Sequence, residues 1–165
     1  MEHFGTIFFT EEQRKRFRSG ELVKEWAKMY KEIFDEDDVR VASSQNSFHF
    51  FEWLAAVIIY TSTGYLSLVE KYQFKKHQRK QEILGKLFPD EIIPSIRSGS
   101  IQCPDLLCYR RDFKNCFFCE VKGLRDEIRL VQKERFRELK RVTGKEVYLI
   151  EFKEIAPDNR LERTA

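Results

Sequence analysis

The sequence predicts an α/β fold in which a mixed β-sheet is flanked by helices. Three observations carry that prediction. Two short runs rich in Leu, Phe, Cys and Tyr, Leu106-Leu107-Cys108-Tyr109 and Cys116-Phe117-Phe118-Cys119, flank a charged turn and read as paired strands. Stretches of helical period precede and follow them. The resulting order of helix, strand, inserted helix, two strands, helix and strand packs helices against a sheet. With 165 residues, 42% of them hydrophobic, the chain is long enough for one domain with its own core.

From the amino terminus, residues 5–9 form a short apolar start. Thr10 with Gln13 then gives the signature of a capping box for a helix ending near Gly20. Leu22, Trp26, Met29 and Ile33 recur at three- and four-residue steps with charges between them, which predicts a second, amphipathic helix running to the acidic cluster Asp35 to Asp38. Residues 1–45 are therefore expected to form a helical N-terminal extension, 46–153 the core and 154–165 a frayed tail. The next helix, over 47–63, is apolar on nearly every face, and Glu52 is its only acid. A lone carboxylate there needs a partner. His49, one turn earlier, is expected to be a packed or hydrogen-bonded histidine, with a ligand or base role as the alternative.

Gly64 ends that helix, and 65–74 reads as a strand with Leu66, Leu68, Tyr72 and Phe74 to one side. Glu70 falls on the same side, where a salt bridge at the strand end is the simplest expectation. Lys75, Lys76, His77, Gln78, Arg79 and Lys80 open a further helix that ends near Phe88. Cations at a helix N-terminus oppose its dipole, so something outside the helix must compensate them. Contact with nucleic-acid phosphate is the preferred expectation for Lys75, Lys76, Arg79 and Lys80, and a solvated charge run is the alternative. Residues 89–99 read as a loop broken by Pro94, with Arg97 as a weaker phosphate candidate. Beyond the paired strands, 126–143 predicts a helix stopped by Gly144, and 146–152 a closing strand. Gln132, Phe136 and Leu139 share one stripe of that helix. Gln132 is its polar member, placed to orient a phosphate or a water, or else a satisfied buried amide.

The chemistry gathers where the paired strands begin and end. Pro104-Asp105 opens the first and Glu120-Val121-Lys122 closes the second. Side chains alternate along a strand, so Glu120 and Lys122 reach one volume while Val121 turns away. Asp105 can enter that volume from the neighbouring strand. Oxygen donors from Asp105, Glu120 and the Val121 carbonyl suit Mg²⁺ or Mn²⁺ rather than a softer metal. An ion so held, with Lys122 beside it, is the inventory of metal-dependent phosphodiester hydrolysis. Taken singly, a Pro-Asp turn or a Glu-x-Lys strand edge means little. On two consecutive apolar strands, followed by a helix, they reinforce each other.

At these residues the chain resembles the PD-(D/E)XK nuclease superfamily, and within it the virus-type replication-repair nuclease (VRR-NUC) domain. The resemblance runs over 48–152 and is sharpest at Pro104-Asp105-Leu106-Leu107, Glu120-Val121-Lys122-Gly123, Asp126 and Gln132. Cys103 stands where such domains usually carry Gly, and Leu124 where they tend to carry Pro. The resemblance implies a restriction-endonuclease-like, three-layer α/β/α core and a Mg²⁺- or Mn²⁺-dependent deoxyribonuclease acting on flapped, forked or branched DNA in repair or replication. It implies that Glu52 completes a metal site with Asp105, Glu120 and Val121, and that Asp105, Glu120, Lys122 and Gln132 are catalytic. An archaeal-type Holliday-junction resolvase, which needs a symmetric homodimer, is the enzymatic alternative. A DNA-binding or assembly module that keeps the fold without turnover is the other.

Charge is consistent with a polyanionic partner. The chain carries a net charge of only +3, but residues 1–64 hold 8 Lys and Arg against 11 Asp and Glu, and 65–153 hold 20 against 13. No apolar run approaches the length of a membrane span, and no signal pattern opens the sequence, so cytoplasm or nucleus is expected. Nothing suggests a small-molecule cofactor. Cys116 and Cys119 have Cys-x-x-Cys spacing, but residues three apart in a strand face opposite ways, so reduced, packed thiols are expected at Cys103, Cys108, Cys116 and Cys119 rather than zinc or disulfides.

Overall fold

The hairpin read from the sequence is the centre of the sheet. A computed structural model of the chain describes residues 2–45, 48–69, 72, 77–98, 103–124 and 126–155. Strand β3, Leu106–Tyr109, pairs antiparallel with β4, Cys116–Lys122, setting Leu106 against Cys119 and Tyr109 against Cys116. On one side β2, Leu66–Leu68, adds antiparallel to β3. On the other, β5, Val147–Glu154, adds parallel to β4, and β1, Glu2–Phe9, adds parallel to β5. The order is β1-β5-β4-β3-β2, a mixed sheet of five strands with helices packed against it. Parallel neighbours cannot be joined by a tight turn, and α7, Leu130–Thr143, supplies the crossover between β4 and β5.

The remaining helices are α1, Glu11–Arg18; α2, Glu21–Met29; α3, Glu36–Ser44; α4, Phe50–Thr63; α5, Gln78–Leu87; and α6, Ile93–Ser98. The Thr10–Gln13 capping box opens α1 as its residue types predict. Left-handed Gly64 and Gly144, at φ 72° and 67°, end α4 and α7, a conformation that costs glycine little. Trp53 of α4 is wholly buried and stacks on Phe34 at 3.8 Å between centroids, with Phe17 set edge-on to it.

Several expectations need correction. The N-terminal 45 residues are not a purely helical extension, because β1 is a strand of the sheet. Phe9, Phe17, Trp26 and Phe34 also belong to the same continuous core as Trp53. The partner of β1 lies at the far end of the chain, and such non-local pairing leaves no local periodic signal. The acidic cluster does not end α2, which stops at Met29. Asp35 caps α3, accepting from the Asp38 N–H at 2.9 Å, while the Asp38 side chain accepts from the Asp35 N–H. The amphipathic stripe breaks at Met29, which is 62% exposed. The presumed 89–99 loop contains α6, with Pro94 in the first turn, where no N–H is required. The described part of the second strand spans only 66–68, and Ser47, Glu70, Phe74 and Gly99 lie outside the described residues.

The described cations at the start of α5, Arg79 and Lys80, have intramolecular partners. Lys80 is fully buried, its Nζ 2.6 Å from Asp38 Oδ1 and donating to the Val69 carbonyl at 2.6 Å. Arg79 donates to the Glu32 and Ile33 carbonyls and lies 3.4 Å from Asp35, while His77 sits 3.4 Å from Asp37. Arg97 hydrogen-bonds the Gln81 side chain. Lys80 is therefore removed from any nucleic-acid surface, and Arg79 and Arg97 are committed to internal partners. Lys75 and Lys76 lie outside the described residues. Among the described residues, the acidic start of α3 offsets the unfavourable dipole interaction of Arg79 and Lys80.

The described residues include no helix long and apolar enough to cross a membrane. All four cysteines are free, and burial pushes the Cys108 thiol up to about 12 and the Cys116 thiol up to about 11. Protonated thiols are poor metal ligands.

Candidate active site

β4 ends in alternation, so Glu120 and Lys122 emerge on one face with Val121 between them. Asp105, immediately before β3, is brought level with them by the hairpin register. Its Oδ2 accepts the Val121 N–H at 2.8 Å, a bond that ties the two motifs together. Glu120 is 2% exposed. Its Oε1 receives Lys122 Nζ at 2.7 Å and Gln132 Nε2 at 2.9 Å. The other end of the Gln132 amide accepts the N–H of Arg129, which caps α7, so the helix start fixes the amide that holds Glu120 of β4.

Glu120 Oε2 is buried without a hydrogen-bond donor among the described residues, and Asp105 is held against the strand residue next to Glu120, near enough for the Glu120 charge to act on it. Two carboxylates so placed resist joint ionisation. Burial first, then the charges of Glu120 and Glu52, push Asp105 well above the ordinary carboxylate range. Burial also raises Glu120, against the opposing pull of Lys122 and Gln132. Glu52 is raised by burial and by the nearby charges of Glu120 and Asp126. The donor-less oxygen beside a second carboxylate fits a hard divalent cation at the Asp105–Glu120 pair.

The four-member ligand set of Glu52, Asp105, Glu120 and Val121 is assembled only in part. No group of three His, Cys, Asp or Glu side chains among the described residues is gathered closely enough to hold a metal ion. Glu52 stands at the edge of the site, 25% exposed at its side chain, with His49 Nδ1 at 3.9 Å. His49 Nε2 lies 3.1 Å from Gln45 Oε1, in keeping with a hydrogen-bonded histidine.

Three residues near the site were missing from the candidates. Asp126, singled out by the resemblance but given no role there, accepts the Gly123 N–H at 3.2 Å and flanks Glu52. Tyr72 is fully buried, its hydroxyl has no partner among the described residues, and Asp105 and Glu120 are among the charges raising its pKa, after burial and Cys103. Arg14, from α1, lies over the Phe51 ring. Neither of the last two carries a local sequence signal.

Gly123 has a tight setting. A Cβ there would lie 2.8 Å from Phe51 Cε2 and 3.1 Å from Asp126 Oδ2. Phe51 has little room to yield, because its ring packs against Phe9, Phe50 and Phe152. Gly123→Ala is expected to lower stability by about 1–3 kcal/mol through overpacking, read as a shift in urea midpoint at unchanged slope. A midpoint equal to the wild type would contradict this close approach.

No protein-family model matches the chain, and no curated protein matches its sequence.

Proposed function

We propose that the chain is a Mg²⁺- or Mn²⁺-dependent nuclease of PD-(D/E)XK type, cutting flapped, forked or branched DNA. One observation carries the reading: Asp105 and Glu120 adjoin, with Lys122 and Gln132 closing on Glu120 and one Glu120 oxygen left without a donor. Buried paired carboxylates are costly, and a fold that needed only stability would do as well with apolar residues there. We read the sheet and its helices as a restriction-endonuclease-like three-layer core. Burial of every residue in β2 and β3 supports this, since alternating side chains are buried only if both faces are covered.

Asp105 and Glu120 would hold the ion, with Glu52 behind them. When bound, the ion supplies positive charge at the phosphoryl group and makes a water more acidic. The Val121 N–H fixes the Asp105 carboxyl and leaves its second oxygen for the site. Lys122 is placed to hold the attacking water or a non-bridging phosphoryl oxygen, and Gln132 keeps Glu120 from rotating away. Hydrolysis then forms a phosphorus–oxygen bond to water and breaks one ester bond, the leaving oxygen taking up a proton.

The experiment is direct. Purified protein incubated with Mn²⁺ or Mg²⁺ and labelled flap, fork and four-way-junction DNA should cut at least one of these substrates, and EDTA should stop it. Binding without cutting on every substrate with either metal would replace this reading with that of a DNA-binding module.

A further inference from the structure

Beside the acids lies an open hollow of about 480 Å³, bounded by Arg14, Phe48, His49, Phe51, Glu52 and Asp126 among others. Its volume falls in the range of pockets that take small ligands. Glu52 and Asp126 line this hollow and the charges of Glu120 and Asp126 act on Glu52, so the hollow lies beside the place where a phosphate would be cut under the nuclease reading. Asp126 also borders a second hollow of about 520 Å³, with Lys122 and Gly123. Asp126 is thus shared by the two depressions, one lined by Glu52 and the other by Lys122.

The first hollow has distinctive chemistry. Phe48 is 67% exposed at its rim, a large apolar ring left in solvent. Directly after it His49 takes φ 68°, a conformation uncommon outside glycine, as the chain turns into α4. The Arg14 guanidinium lies 5.6 Å from the Phe51 ring centroid and has no ion-pair partner among the described residues. Its neighbours differ, since Arg16 pairs with Glu21 and Glu25, and Arg18 with Glu11. An exposed aromatic face offers stacking to any unpaired base, and a free guanidinium fork matches a phosphate.

We propose that this hollow seats an unpaired nucleotide adjoining the cut phosphate, its base against Phe48 and its phosphate at Arg14. The substrate is then DNA with a single-stranded segment at the cut. Continuous duplex would have to give up a stacked base to fill it. This proposal rests on the nuclease reading for its place next to the cut.

Binding and cutting are measured apart. In EDTA, fluorescence anisotropy compares labelled oligo-dT with a blunt duplex of equal length. The wild type should prefer oligo-dT. Phe48→Ala should weaken oligo-dT binding roughly tenfold, with the duplex changed by less than about twofold, and Phe48→Trp should retain the wild-type preference. Arg14→Ala should weaken oligo-dT binding and lower its salt slope by about one phosphate contact. Equal binding of oligo-dT by wild type and Phe48→Ala, or a wild-type preference for blunt duplex, overturns the subsite. If Mn²⁺ supports no cutting while Phe48-dependent binding persists, the nuclease reading fails and the single-strand site stands. If DNA is cut but Phe48→Ala alters neither binding nor preference, the subsite fails and the nuclease reading stands.

Discussion

Lys80→Met lowers the stability of the protein by about 3–5 kcal/mol, the cost of leaving a buried charge without its partner. Lys80 and Asp38 are both fully buried, 2.6 Å apart, and Lys80 also satisfies the Val69 carbonyl beyond β2. Removing the ammonium takes the cation from Asp38 Oδ1, leaving that carboxylate the Asp35 N–H and the more distant Arg79, and takes a donor from the Val69 carbonyl. Burial already raises the Asp38 pKa despite the lysine. Without that charge the carboxyl rises further and can escape the penalty by taking up a proton. The loss should therefore shrink as pH falls from 8 towards 5. Pairing the change with Asp38→Leu should recover most of it, because an apolar pair of similar volume avoids both desolvation costs. Urea unfolding of the two single variants and the double variant forms the cycle. A Lys80→Met loss under about 1 kcal/mol would show that the pair is not closed to solvent.

Asp105→Asn moves activity and stability in opposite directions. Under the nuclease reading it removes a charge that holds the ion, and cleavage should fall at least a thousandfold, about 4 kcal/mol in barrier. The amide oxygen can still accept the Val121 N–H, so the local fold is kept. Its neighbour Glu120 meanwhile loses a repelling charge, so the metal-free variant should be more stable at pH 8 by about 1 kcal/mol.

The pH dependence gives a second readout of the same arrangement. Asp105, Glu120 and Glu52 all have folded-state pKa values above the ordinary carboxylate value. In the window between the ordinary and the raised values the folded state binds more protons than the unfolded one, and unfolding free energy falls as pH rises. The contribution is present in full below the unfolded pKa and lost through the folded one. Calorimetric melting in EDTA from pH 5 to 9 should show this decline, less steep in Asp105→Asn, and added Mg²⁺ should offset it in the wild type alone. Parallel curves for the two proteins would mean that the carboxyls do not share a field.

Much of the frame was legible because it is local. The apolar runs at 106–109 and 116–119 with a charged turn specify a hairpin, Thr10 and Gln13 specify a helix start, and the apolar stretch before Gly64 specifies a buried helix. Asp105, Glu120 and Lys122 could be placed together on strand alternation alone, and the structure brings them together with Gln132. The assignment of Lys80 to phosphate went astray because a run of cations has the same appearance whether its counter-charge is a ligand or another helix. Residues Asp35 to Asp38, read as the end of one helix, are the start of another and supply that counter-charge.

By itself, then, the sequence determined the elements whose signals lie within a few residues of one another: the hairpin, the helix caps and stops, and the spacing of two acids and a lysine around one strand pair. Only the tertiary structure decided that β1 lies along β5, that α3 answers the cations of α5, and that Arg14 meets Phe51 beside the acids. The physical reason is that caps and alternation act through covalently neighbouring backbone, whereas strand partners, buried ion pairs and pocket walls are selected by burial between segments far apart in the chain.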